Sequence, residues 1–166
     1  MAADLLAIVR TIHLLAGVSW LGEVITINAV LLPVLFAAKR EERLVLLSAV
    51  FPRVFRLATV LGGLAVGTGL VLFLWSTRLQ PLAAVRSRWG ELILAGGVLG
   101  AALFAFHLFQ ESGAEQSIAA HLAFALDSDD PRETRRLLRR LAFFPRAGML
   151  VLIAVIGMMT AAAHFL

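Results

Sequence analysis

Residues 13–25 read HLLAGVSWLGEVI, and where this stretch sits decides the fold. It lies inside a longer apolar block, Leu5–Ala38. A helix needs about 20 such residues to cross the hydrocarbon of a bilayer. Three more blocks follow, at Val54–Trp75, Leu92–Phe109 and Ala147–Leu166. The chain has 166 residues and is 60% hydrophobic, more apolar surface than a water-soluble domain of this size can hide. The expected fold is all-α, an integral membrane four-helix bundle in a single domain over residues 1–166, with the lipid bilayer as its first partner. Helices are expected at about 5–38, 51–76, 90–111 and 144–166.

The opening MAAD puts no basic residue ahead of the first apolar run, and that run is too long for a signal-peptide core. The first block therefore reads as a retained span. Cysteine is absent, which removes disulfides, zinc–thiolate sites, iron–sulfur clusters and thioether-linked haem from these residues. The net charge of +4 is informative only loop by loop. Lys39, Arg40, Arg43, Arg53, Arg56, Arg132, Arg135, Arg136, Arg139, Arg140 and Arg146 fall on one side of the membrane, and Arg10, Arg78, Arg86 and Arg88 on the other. The excess of positive charge assigns the first and third loops to the cytoplasm and both termini to the periplasm of a bacterial inner membrane. Basic loops flanking membrane segments argue against nucleic acid as a partner.

The third loop carries a short amphipathic helical segment. Ala114–Leu126 places Ile118, Leu122 and Ala125 on one face, as an interfacial helix does. A second short helix is expected at about 131–141, with Asp130 as N-cap, Pro131 at the first helical position and Glu133 closing a capping box. Its arginines form a solvated or lipid-headgroup face, or else meet a specific anionic partner. FPR occurs twice, at Phe51–Arg53 and Phe144–Arg146, where each proline is expected to open a helix. Gly63/Gly67 and Gly96/Gly100 have the four-residue spacing that lets helices approach closely.

His13, Ala16, Gly17 and Trp20 share one face of the first helix. A histidine beside small residues suits a haem ligand, and equally suits a hydrogen bond to a neighbouring helix. His13, Glu91 and His164 are all expected near the outer face. Two histidines there would ligate a b-type haem, whereas all three residues would make a nitrogen/oxygen metal site for copper. His107 is expected about 20 Å deeper by helical rise. Phe104 and Glu111 are its neighbours one turn away, and Arg53, Arg56 and Arg146 lie at similar depth, able to meet haem propionates or to pair with Glu111. His121 reads as an interfacial loop residue. Glu23 is a carboxylate at mid-bilayer, which must be neutral or paired. It is either a proton-relay group or a structural partner of Arg56 or Asn28.

HLLAGVSWLGEVITINAVLLP (His13–Pro33) resembles the opening helix of the CopD (copper-resistance D) family and of HemJ-like membrane proteins, whose histidine and tryptophan-x-glycine are matched by His13, Trp20 and Gly22. FRLATVLGGLAVGTGL (Phe55–Leu70) and WGELIL (Trp89–Leu94) resemble their second helix and the start of their third, and His107 matches a later histidine of the HemJ-like proteins. The resemblance implies either copper handling, or b-type haem with electron transfer or protoporphyrinogen oxidation. The third helix has Gly90, Glu91 and Ala95 where those proteins carry a lysine. Soft sulfur ligands are confined to methionine, with one adjacent pair, Met158–Met159. That balance favours haem b over copper. The implied function is membrane electron transfer or oxidoreduction, with Trp20 against the porphyrin and a redox partner such as quinone. A homo-oligomer is compatible with this pattern.

The charge distribution carries its own test. A cysteine placed near Ser76 or at the N-terminus should react with an impermeant thiol reagent in intact cells, and one near Ser128 should not. The opposite labelling pattern would reverse the orientation.

Overall fold

The computed structural model of the chain describes residues 2–78, 86–127 and 131–165, of which 2–3, 110–127, 131, 133–134, 137 and 140–141 are described as backbone only. Every regular element among the described residues is helical. Helix α1 (Ala2–Thr26) runs through a wide π turn, Ile27–Leu31, into α2 (Leu32–Ala37). Helix α3 (Arg40–Val45) likewise runs through a π turn, Leu46–Val50, into α4 (Phe51–Ser76). Helices α5 (Arg88–Asp127) and α6 (Pro131–Ala162) follow, and a 3₁₀ turn at Ala163–Phe165 ends the described chain. Four segments are long and apolar enough to cross a bilayer: Asp4–Ala37, Arg40–Ser76, Arg88–Phe109 and Ala142–Phe165. The protein is a helical integral membrane bundle.

Both π turns have a proline just beyond them. A proline lacks the N–H that the carbonyl four residues back requires, and its ring collides with that carbonyl. For Pro33 the carbonyl belongs to Ala29 and for Pro52 to Ser48, and each lies inside its π turn. Widening one turn shifts the ladder to five-residue bonds, as from the Leu32 N–H to the Ile27 carbonyl and from the Phe51 N–H to the Leu46 carbonyl. Helices thus continue where lipid offers no hydrogen bonds to broken backbone.

The chain reverses at Ala38 and Lys39, both extended. Carbonyls at the end of α2 are capped from beyond the turn. The Arg43 guanidinium donates from Nε to the Leu35 carbonyl at 3.1 Å and from Nη2 to the Phe36 carbonyl at 3.0 Å. A cation at a helix C-terminus also complements the helix dipole. The Lys39 N–H donates to Glu42 Oε2 at 2.8 Å, fixing the start of α3.

Close contacts define an antiparallel register throughout. On α4, Gly62 approaches Trp20 and Gly69 approaches His13, so numbering falls on the second span as it rises on the first. Gly62 also approaches Phe104, and Thr59 bonds His107. Gly96 faces Met159 and Gly100 faces Val155 across the third and fourth spans. The bundle is two hairpins, α1 on α4 and α5 on α6, joined through α4 against α5 and α1 against α6. One core cluster, Ala16, Trp20, Ala58, Ala65 and Leu152, lies mid-bundle. The other lies at the basic end, where Leu138 and Ala142 of α6 pack with Ile27, Leu32, Leu35, Leu47 and Phe51.

That second cluster explains two departures from expectation. The sequence pattern separates a loop helix from the fourth span, but α6 is continuous because Leu138 and Ala142 are already core residues. Consequently the second FPR opens no helix: Pro145 sits inside α6. The other loop helix, expected at 114–126, is a continuation of α5 through Ser112 and Gly113. The capping box of Asp130 and Glu133, and the side chains of Glu111 and His121, lie outside the described residues. Gly96 and Gly100 serve close packing as expected, and Gly63 meets Phe104, but nothing lies near a Cβ placed on Gly67. Gly62 and Gly69 are the tight positions.

A Cβ on Gly62 would stand 2.7 Å from the Phe104 ring and 3.2 Å from Trp20, whereas one on Gly17 would meet nothing. Gly62→Ala should lower resistance to SDS unfolding by about 1–3 kcal/mol, and Gly17→Ala should leave it unchanged. Equal effects would mean that the glycine contact does not set the packing.

Candidate functional site

His13 is clamped onto the second span. Its Nδ1 lies 2.8 Å from the Ala65 carbonyl and 3.4 Å from Thr68 Oγ1. A carbonyl only accepts, so Nδ1 carries the proton and donates. In this tautomer Nε2 keeps its lone pair, and no described residue hydrogen-bonds it. The ring packs closely on α4 because residue 69 is glycine: a Cβ there would stand 2.9 Å from His13 Cε1.

Below His13 the bundle is filled by rings. Trp20, 5% exposed, meets Phe104 edge to face with centroids 6.1 Å apart. Phe104 stacks on His107 at 6.5 Å, and His107 meets Phe55 at 6.2 Å. Phe55 in turn meets Phe51 at 5.8 Å. This column runs from mid-bundle to the basic end. His107 Nε2 lies 2.9 Å from Thr59 Oγ1, and the Thr59 hydroxyl also reaches the Phe55 carbonyl at 3.1 Å. Whichever group holds the proton, Nε2 of His107 is engaged. The two histidines therefore present different atoms: His13 an open Nε2, His107 an occupied one.

Glu23 has both carboxylate oxygens buried with no hydrogen-bond partner among the described residues. The expected pairing with Arg56 or Asn28 is not formed: the Asn28 amide nitrogen donates instead to the Val24 carbonyl at 2.8 Å and the Pro145 carbonyl at 3.0 Å. Asn28 thereby ties the first span to the fourth, at the π turn, and its own Oδ1 is buried with no partner among the described residues. By the antiparallel register Glu23 is level with Thr59 and His107. The same register sets His13 ten residues above that level, about 15 Å at the helical rise. The interval is shorter than the roughly 20 Å expected from the sequence.

The other candidates stand apart. Glu91 pairs with Arg88 at 3.5 Å on the surface, the two side chains 51% and 73% exposed. His164 is exposed in the terminal 3₁₀ turn. Register places Glu91 and His164 level with each other and about 9 Å nearer the membrane surface than His13. Among the described residues no three histidine or acidic side chains converge as a metal site. Arg53 and Arg146 are exposed, and Arg53 donates to the Ala49 carbonyl of its own helix.

Sequence reasoning missed Thr59, Thr68, Gly62, Gly69 and the Ala65 carbonyl. One signal was present. His13 and Trp20 are seven residues apart, as are Gly62 and Gly69, so two rings on one helix meet two glycines on an antiparallel neighbour.

A four-span helical membrane protein, with a clamped histidine and a buried carboxylate between its spans, is the class that fold and site define. Within that class the chain belongs to the family described as Domain of unknown function (DUF4149), whose model matches residues 15–112. The match takes in Trp20, Glu23, Asn28, Thr59, Phe104 and His107, and begins two residues after His13. No curated protein and no solved structure matches the chain.

Two buried oxygens without a donor cost stability that an apolar side chain of similar length does not. Glu23→Met should raise resistance to SDS unfolding by about 1–3 kcal/mol. A loss of stability instead would show that Glu23 has a partner in the membrane, whether water, an ion or another subunit.

Proposed function

We propose that the protein is a membrane b-type haem protein acting in electron transfer or membrane oxidoreduction, in which His13 would hold the haem iron through Nε2. The observation that carries this reading is the bond from His13 Nδ1 to the Ala65 carbonyl. Ligating histidines characteristically donate their second nitrogen to a carbonyl or carboxylate, which fixes the tautomer and aims the other lone pair. His13 has this arrangement and His107 does not, because Thr59 holds its Nε2. The donor set therefore fits one haem at His13 rather than a second at His107, and Arg53 and Arg146 are not needed for propionates there. The likeness of His13–Pro33 to CopD and HemJ-like proteins supports the same assignment. Copper is the weaker reading, because Glu91 is drawn to Arg88 on the surface and away from His13.

When bound, haem supplies a one-electron couple whose potential is set by axial ligation and burial. The residues of the chain supply the rest. Ala65 and Thr68 hold the imidazole in one orientation, Trp20 and Phe104 exclude water below it, and Glu23 holds or passes a proton at mid-membrane. The redox partner is a lipid-soluble carrier such as quinone. The basic ends face the cytoplasm of a bacterial inner membrane, with both termini periplasmic.

The visible spectrum of detergent-purified protein tests this. A Soret band with sharp α and β bands on reduction is expected. His13→Ala should lose that spectrum while the protein stays membrane-inserted, because the substitution only makes the first span more apolar. His107→Ala should retain it. Colourless protein with stoichiometric copper would turn the assignment to copper, and colourless metal-free protein would leave His13 as a packing residue.

A further inference from the structure

We propose, resting on the proton-holding role of Glu23 but not on haem, that its carboxyl exchanges its proton only with the basic end of the bundle, through Asn28. Three buried oxygens lack a donor among the described residues: Glu23 Oε1 and Oε2, and Asn28 Oδ1. Glu23 and Asn28 lie three and eight residues beyond Trp20, so on a helical wheel both fall within a quarter turn of it, on the inward side. Asn28 is the farther of the two toward the basic end, about 7.5 Å along the helix from Glu23, a gap that one or two water molecules bridge. Its oxygen is fixed in place. The amide nitrogen gives its hydrogens to the Val24 carbonyl at 2.8 Å and the Pro145 carbonyl at 3.0 Å, so the amide has no reason to flip and Oδ1 stays an acceptor.

The two sides of Glu23 differ in what they offer a proton. Less than one turn above it, Trp20 meets Phe104 edge to face, and Ala16, Ala65 and Leu152 complete an apolar cluster there. Below it, Asn28 stands in a π turn, a distortion that often accompanies functional sites. Pro33, Pro52 and Pro145 each withhold an N–H at that end, which leaves it richer in acceptors than in donors, and water serves such a place. The titratable side chain level with Glu23 is His107 on α5, whose Nε2 is engaged with Thr59 of α4. Arg56 of α4 and Arg146 of α6 are exposed. One carboxylate balances one unit of charge, and among the described residues no three acidic or histidine side chains converge to hold a metal ion. A hydronium ion arriving from the basic end gives its proton to a Glu23 oxygen and leaves as water. Water that passes without staying gives Glu23 no lasting partner, so Glu23→Met still removes a net cost.

Infrared spectra of the full chain in lipid vesicles, recorded over time after transfer from light to heavy water, provide the test. At neutral pH the carbonyl stretch of a protonated carboxylic acid should be present, be missing from Glu23→Gln, and move to lower frequency in heavy water. The difference between wild type and Glu23→Gln assigns the band to this carboxyl whether or not haem is bound, so failure here is distinct from failure of the haem assignment. Asn28→Leu should slow the shift about tenfold, the factor for one lost hydrogen bond to passing water, and Asn28→Gln should restore it. Trp20→Ala, which opens the other side, should quicken it. An acid band that is missing at neutral pH, appears only when sodium is removed, or keeps its position in heavy water would overturn the proposal. An unchanged rate in Asn28→Leu or in Trp20→Ala would overturn the one-sided route. If Asn28→Leu does not insert, the wild-type shift and its rate in Trp20→Ala still decide.

Discussion

Trp20 and Phe104 meet edge to face over Gly62, and three spans take their positions from that contact. In lipid the hydrophobic effect gives helices no reason to associate, because acyl chains are as apolar as leucine. What remains is close packing and hydrogen bonding. A ring from the first span and a ring from the third can reach the second only where its surface is bare, and Gly62 provides that surface. An aromatic pair adds about 0.5–1.5 kcal/mol beyond simple contact. The heptad above it, where His13 lies on Gly69, then follows from the same register. One turn below, the contact of His107 with Thr59 follows likewise.

The four spans were legible in the sequence because the bilayer imposes a length and a composition that few other constraints do. Which residues pair across helices was less so. Gly63/Gly67 has the spacing of a helix-contact motif, yet Gly62 and Gly69 are the closely packed positions, because helix faces are set by the partner's ring spacing and not by one helix alone. Pro145 was misread as a helix start because a proline reports only the bond it removes, and α6 tolerates that loss inside a helix already anchored by Leu138 and Ala142. At the site, residue types were legible and partners were not. Nothing in a one-dimensional pattern distinguishes a histidine bonded to a carbonyl through Nδ1 from one whose Nε2 is held by a threonine.

That distinction separates two kinds of polar group in this membrane. His13, His107 and Asn28 each have a designated partner on another span, and each bond therefore also fixes helix position. Glu23 has none among the described residues. A group with a partner is accounted for by structure alone. An unpartnered carboxyl in a low-dielectric interior destabilises the bundle, and its presence asks for a compensating role at the level of Thr59 and His107.

The basic end of the bundle is built differently from the rest. Both π turns, the Asn28–Pro145 bond and the Arg43 caps all lie there, where Pro33, Pro52 and Pro145 have disturbed the backbone of three spans. Such an end would be loose if its helices stopped at the membrane surface. Instead α6 begins well outside the fourth span and packs Leu138, before that span, and Ala142, its first residue, with Leu32, Leu35 and Phe51, closing the interrupted helices. Exposed Arg135, Arg136 and Arg139 stand on the adjoining face of the same turns. A helix that must present apolar residues to the bundle at headgroup depth must present something else to the phosphates, and arginine, able to bond several oxygens at once, satisfies both the water and the lipid. The same turns of helix therefore close the interrupted end of the bundle and carry a row of exposed arginines.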